Sequence, residues 1–233
     1  MNTVIHVPHA SIEIPAGIRN QFLLADRDLY REAIESADLY TDTLAKQAWP
    51  EATVVCSEIS RLVVDVERYP DDNEELMSKY GRGMIYMSTH LGLPLRRTIS
   101  ENEKYELKRD WYDPHWARLR AAAEGGTLID LHSYPAVPWI IEANPSAARP
   151  EIDLGTDRHL TPRSWVEKLK SHFEALGFTV GQDTPYAGVI DAGSKYAVMI
   201  EIRRDILCSP EEGSKWQRIV DALSSMPMPN AQL

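Results

Sequence analysis

Apolar positions recur along this chain in two rhythms. Short apolar or β-branched runs at 3–7, 52–56, 62–66, 128–131, 178–180 and 197–200 read as strands. Longer stretches between them carry helical spacing. In 29–49 the residues Leu29, Ala33, Ile34, Ala37, Leu44 and Ala45 mark one face, with Asp28 as the cap and Pro50 as the stop. Helices are also predicted over 101–124, closed by Gly125 and Gly126, from Thr161 or Ser164 to 176, and over 210–224. Residues from Pro227 onward read as a frayed tail. Strands alternating with helices predict an α/β layered fold. No repeat or linker divides the chain, so one domain is expected over 1–233.

Two regions follow neither rhythm. Segment 71–99 is polar, broken by Gly and Pro, and carries Arg82, His90, Arg96 and Arg97. Its length suits a flap or lid over a site. Segment 135–162 reads as irregular.

Composition narrows the function classes. With 233 residues, 43% of them hydrophobic, the chain can bury roughly 70% of its unfolded surface. A net charge of -10 argues against nucleic acid or an anionic membrane as partner, while a small anionic substrate needs only a few local arginines. Cys56 and Cys208 lack metal or redox spacing and read as core thiols. No apolar stretch approaches 18 residues and no basic-then-apolar leader opens the chain, so the expected compartment is the cytoplasm.

The chemistry concentrates where strands end. The run 128–131 delivers His132 and Ser133, and the run 3–7 delivers His9 and Ser11. Imidazole is the commonest ligand of zinc-like ions, and open α/β sheets place their sites at the carboxyl ends of strands. Two histidines at matched strand ends therefore predict a divalent metal, zinc foremost, with a carboxylate or a third histidine completing the protein ligands. Asp38, flanked by Ala37 and Leu39, is the favoured third ligand; Glu13 and Asp42 are the alternatives.

Two further strings carry charge into apolar surroundings. Arg61, Asp65 and Arg68 bracket the run 62–66, which suggests a guanidinium aimed at a carboxylate, with Asp65 holding it. Glu201 lies inside the apolar string 198–202. A buried carboxylate there needs a partner or a function, and beside an activated water it is a natural general base.

In order along the chain, VPHAS at 7–11, ADLYTD at 37–42, SRLVVDVER at 60–68, IDLHS at 129–133, LGTD at 154–157, PYAG at 185–188 and IEIR at 200–203 resemble the N-formylglutamate amidohydrolase family, relatives of zinc carboxypeptidases and aspartoacylases. The resemblance implies a mixed central sheet flanked by helices on both faces, as in zinc carboxypeptidases. It also implies metal-dependent hydrolysis of an N-acyl, N-formyl-type amino acid to a carboxylic acid and a free amino acid. By position, His9 and His132 are similar to the metal histidines, Glu201 to the general base, and Arg61 to the residue that polarises the scissile carbonyl. Arg68 resembles the clamp on a small anionic substrate, with Arg82, Arg203, Ser133 and Tyr186 as further substrate-binding residues. Glu67 stands where the family usually has asparagine. The competing expectations are a metallopeptidase or peptidoglycan-type amidase on the same metal centre, and a non-catalytic binder of small anions.

Overall fold

The computed structural model describes residues 2–142 and 144–229; the last four residues of the expected tail lie outside them. At its centre is a six-stranded sheet built from β1 (Thr3–Val7), β2 (Thr53–Cys56), β3 (Thr127–Tyr134), β4 (Ile152–Gly155), β5 (Val180–Gln182) and β6 (Tyr196–Arg203), in the order β2-β1-β3-β6-β4-β5. Neighbouring strands are parallel except β4, which runs antiparallel to β6. The sheet is mixed, as expected. The two longest strands, β3 and β6, lie at its middle and are covered on both sides, which accounts for their nearly unbroken apolar runs.

Alternation sorts the strand residues onto two unlike faces. Ile5, Val7, Ile129, Leu131, Val198 and Ile200 face a continuous apolar core shared with α2 (Thr41–Ala48), α5 (Arg163–Ala175) and α6 (Ser214–Ser224). On the opposite face, Val4, Leu128 and Ala197 pack under Leu119 and Ala123 of α4 (Asp113–Ala123). Beyond these apolar contacts the same face turns polar: His6 pairs with Asp130, His132 with Glu201, and Glu201 with Asp153 across adjacent strands. All five are buried.

Several elements differ from expectation for identifiable reasons. The helix predicted over 29–49 is two helices, α1 (Asp26–Ser36) and α2, separated by a break at Ala37–Tyr40. Tertiary contacts hold the break open: the Asp38 N–H donates to the His9 carbonyl at 2.9 Å, and Arg204 Nη1 donates to the Glu35 carbonyl at 2.7 Å. Residues 62–66 form buried turns, not a strand. Their carbonyls are taken by the Arg96 guanidinium, and the Asp65 N–H goes to the Met84 carbonyl, so no strand partner is required. Strand β4 lies inside the segment expected to be irregular, and β5 starts two residues later than the predicted strand. The helix predicted over 101–124 is α3 (Glu101–Leu107), joined to α4 by a π-helical turn at Lys108–Tyr112.

Segment 71–99 is a packed wall, not a detached flap. Met84, Ile85, Tyr86 and Leu95 are buried in a cluster with Leu29 and Ala33 of α1 and with Leu62–Val66. Gly155, at the end of β4, allows a close approach: an added Cβ would stand 2.2 Å from the Gly188 carbonyl, so the loop 185–190 can fold over the sheet edge only with glycine there. No helix among the described residues is long and apolar enough to cross a membrane.

Asp153 is one polar residue of this face whose titration burial dominates. Burial pushes its carboxyl up to about 7, against stabilising backbone contacts from Thr184, whose N–H lies at 2.9 Å, Leu154 and Tyr186. In the unfolded chain it ionises near 3.9. Between about pH 4 and 7 the native state therefore holds a proton that the unfolded state has lost, and this contribution to stability falls as pH rises. Asp153→Asn removes the ionisation. Its thermal midpoint relative to wild type is expected to be higher at pH 8 than at pH 4.5; an equal difference at both pH values would contradict the assignment.

Candidate active site

His9, two residues beyond β1, and His132 on β3 stand side by side with ring centroids 5.1 Å apart, both buried. Each ring has one end committed. The His9 Nε2 edge lies 2.8 Å from Asp65 Oδ1, and the His132 Nε2 edge lies 3.0 Å from Asp130 Oδ1 and 3.0 Å from Glu67 Oε1. The Nδ1 ends face Asp38 instead. Its Oδ2 lies 3.5 Å from His9 Nδ1 and 3.3 Å from His132 Nδ1, and His9 Nδ1 is buried without a hydrogen bond.

Asp38 is held for this role by its other oxygen. Oδ1 accepts from Ser133 Oγ at 3.2 Å and Arg204 Nη2 at 3.0 Å. Burial opposes ionisation of this carboxyl, but the neighbouring His132 and His9 rings and the Arg204 charge hold it well below the usual carboxylate range. It is therefore an anion whose Oδ2 lies between the two Nδ1 atoms.

Two ligand sets could hold a metal. One uses both Nδ1 atoms with Asp38. The other groups His9 and His132 with Glu67, whose ligand atoms lie within 4.8 Å of one another. The donor chemistry favours the first. Ligands about 2.0–2.1 Å from one tetrahedral ion stand roughly 3.3–3.4 Å apart, close to the separations Asp38 Oδ2 makes with the two Nδ1 atoms. Metal-bound histidines also donate their other ring N–H to a carboxylate, as both Nε2 atoms are placed to do here. Glu13 is exposed, and Asp42 pairs with Lys46 at 3.1 Å on the surface of α2, so neither of these alternatives reaches the histidines.

Asp65, fully buried, organises the opposite wall. Besides His9 it accepts Arg61 Nε and Nη2 at 3.1 and 2.8 Å, the Tyr86 hydroxyl at 2.6 Å and the Glu67 N–H at 3.0 Å. Burial would raise its pKa, yet Arg61, His9 and Arg68 hold it well below the ordinary range. Arg68 is looser. Its Nε is buried without a hydrogen bond, and its guanidinium comes no nearer than 3.7 Å to Asp65 and 3.8 Å to Glu75.

Glu201 faces His132 across the β3–β6 pair. Its Oε2 is buried and unpartnered, and burial pushes its carboxyl up to about 8 despite the attraction of His132, with Asp38, Glu67 and Asp153 adding to the rise. These groups open into a cavity of about 1140 Å³, whose wall includes Arg61, Arg68, Ser133, Tyr186 and Glu201.

The remaining expected substrate residues divide. Arg82 reaches the cavity wall but is fixed by Ser36 and Glu32 and stacked on the Tyr86 ring at 3.9 Å. Arg203 does not reach it. Its fork is closed on Asp205 at 2.6 and 3.1 Å, and Nη1 donates to the Arg149 carbonyl. Arg204 lines the cavity instead, because the chain turns after β6, with its N–H on the Tyr134 carbonyl. Sequence reading also passed over His6, Asp130 and His115. The period-two spacing of Asp130, His132 and Tyr134 within β3 was the available signal for Asp130.

Against this geometry, a family model described as N-formylglutamate amidohydrolase matches residues 1–208. The fold is similar to the crystal structure of N-formylglutamate amidohydrolase from Ralstonia eutropha JMP134, with TM-score 0.77 and 18% identity over 96% of this chain and 90% of that one. A gene product of Agrobacterium tumefaciens has TM-score 0.70 and 20% identity, covering 96% of this chain and 91% of its own. No curated protein matches the sequence.

Proposed function

Because this chain belongs to the N-formylglutamate amidohydrolase family, we propose that it hydrolyses the amide bond of an N-acyl, N-formyl-type amino acid using one divalent ion, zinc foremost, held by His9 Nδ1, His132 Nδ1 and Asp38 Oδ2. The observation that carries the reading is the buried, unpartnered Glu201 carboxylate on the strand beside His132, at the wall of the cavity and among these ligand atoms. An ion in that position supplies Lewis acidity, making water nucleophilic near neutral pH and polarising a carbonyl.

Glu201 takes a proton from water as the oxygen bonds to the acyl carbon. It returns that proton to the nitrogen as the C–N bond breaks, releasing acid and amine. A pKa raised to about 8 suits a group that must both accept and give up a proton near neutral pH. Arg61, held rigid by two bonds to Asp65, donates to the carbonyl oxygen as it gains charge. Arg68, with no hydrogen bond to satisfy it, clamps the substrate carboxylate, and Ser133 and Tyr186 line its path. Arg82 supports the wall by holding Tyr86 in place.

A second reading, cleavage of a longer peptide-like amide at the same centre, draws on the cavity volume of about 1140 Å³, above the roughly 300–1000 Å³ usual for small-ligand sites. The deciding experiment is metal analysis followed by a panel of N-formyl, N-acetyl and longer N-acyl amino acids together with N-acyl dipeptides. Turnover of the single amino acids supports the first reading. Turnover of dipeptides alone supports the second, and no turnover by metal-loaded protein sinks both.

Four variants test the assignments. Glu201→Gln is expected to lower kcat by about 100- to 10,000-fold with metal content unchanged, as measured by steady-state kinetics and elemental analysis. Asp38→Ala is expected to lose metal, whereas Glu67→Gln retains it; the reverse outcome would move the ion to the Nε2 side. Arg68→Ala is expected to raise KM at least 10-fold for acidic substrates with a smaller change in kcat.

A further inference from the structure

The cavity wall beside Glu201 turns apolar on one side. Met199 precedes Glu201 by two residues on β6 and shares its face of the sheet, so the two positions stand about 6–7 Å apart. Met199 is buried and lines the cavity, yet it belongs to none of the three apolar clusters formed by the described residues. Gly155 explains where its side chain goes. The point where a Cβ of residue 155 would stand lies 2.3 Å from Met199 Cε and 2.2 Å from the Gly188 carbonyl oxygen, so the methyl end reaches across the glycine to the loop 185–190. Val189 and Ile190 of that loop and Trp116 of α4 also line the cavity, and all three pack against the cluster of Leu119, Leu128 and Ala197. These four side chains wall an apolar recess next to Glu201.

The recess is tied to the turn that carries Arg68. The Trp116 indole donates to the Val66 carbonyl at 2.7 Å. The Tyr112 hydroxyl donates to the Arg68 carbonyl at 3.1 Å, and its ring centroid lies 6.2 Å from that of Trp116. In an N-acyl amino acid the carboxylate and the side chain hang from one carbon, bonded to the scissile nitrogen. A carboxylate held by Arg68 therefore presents that side chain toward the adjoining recess, while the acyl substituent lies across the scissile bond.

The charges around the recess disfavour an acidic side chain. Arg120 stands 5.1 Å from the Trp116 ring centroid but is exposed, and Lys108 is paired with Asp113 at 2.5 Å. Asp191, next to Ile190, and Asp157, two residues after Gly155, line the cavity as well. A carboxylate entering here would leave water for apolar walls and face two acids against one solvent-screened cation.

We propose that Trp116, Val189, Ile190 and Met199 are specificity-determining residues, and that the substrate is an N-acyl amino acid whose side chain is apolar, of leucine, methionine or phenylalanine type. The proposal rests on the hydrolytic reading of the preceding subsection and adds to it the class of amino acid released.

The test holds the acyl group constant and varies the amino acid. For metal-loaded wild type, kcat/KM with N-formyl-L-leucine and N-formyl-L-phenylalanine is expected to exceed that with N-formyl-L-glutamate at least 10-fold, since a methylene-sized contact in an apolar pocket discriminates by about 10- to 200-fold. Ile190→Ala and Met199→Ala are each expected to lower the ratio of kcat/KM for N-formyl-L-leucine over N-formylglycine about 10-fold, a ratio that loss of folded enzyme does not move. Ile190→Arg is expected to shift preference toward glutamate. A wild-type preference for glutamate would overturn the proposal, and its loss in Arg120→Ala would give the recess to an acidic side chain. A leucine-to-glycine ratio near one would also overturn it. Calorimetric titration of metal-loaded Glu201→Gln protein with the same four compounds separates the two readings. Tighter binding of the leucine than the glutamate compound, with no turnover by wild type, sinks hydrolysis and keeps the recess. Turnover led by glutamate keeps hydrolysis and sinks the recess, and absence of both binding and turnover sinks both.

Discussion

The structure depends on one consequence of strand geometry: in a sheet covered on both sides, every second residue of a central strand is buried on the same face. In β3 and β6 one set is uniformly apolar and builds the core under α2, α5 and α6. The other set includes Asp130, His132 and Glu201, which, with His6 from β1 and Asp153 from β4, form a polar row inside the protein. Buried charges and imidazoles without water must satisfy one another or be held for a ligand. Four atoms in or beside the row lack a partner, His9 Nδ1, Asp130 Oδ2, Asp153 Oδ1 and Glu201 Oε2, and two of them belong to residues that line the cavity, His9 and Glu201.

The second half of the site comes from chain that is not sheet at all. Residues 59–99 pack with α1 into their own apolar cluster, and Asp65 ties that cluster to the strand ends by binding His9 and Arg61 together. A single carboxylate thus sets both the orientation of the His9 ring and the position of the Arg61 guanidinium. Arg68 sits one step further along the same turn without a hydrogen bond of its own, a cation kept for something other than the fold. Glu67 lies between them, 3.0 Å from His132 Nε2, and places negative charge next to that cation.

The two ends of each imidazole give the centre its polarity. Three carboxylates, Asp65, Glu67 and Asp130, occupy the Nε2 side, and Asp38 alone addresses both Nδ1 atoms. Membership of an amidohydrolase family and a fold shared with an N-formylglutamate amidohydrolase agree with a hydrolytic use of such a centre. The ligand assignment itself rests on this chain's own distances and orphaned atoms.

Much was legible in the sequence because it is written in local pattern. Apolar strand runs ending in His9 and His132, a carboxylate set in the apolar string around Glu201, and ordered motifs along the chain point to a mixed α/β sheet with candidate metal ligands at strand ends. What local pattern could not supply was decided by contacts between distant segments. The break that frees Asp38 from a helix is made by His9 and Arg204, and the run 62–66 became turns because Arg96 takes its carbonyls. Arg203 and Arg204 are adjacent and chemically alike, yet Asp205 captures one and Asp38 the other. Period and propensity dictate which face a residue occupies, whereas the hydrogen-bond partner that fixes a charged side chain comes from wherever folding brings one.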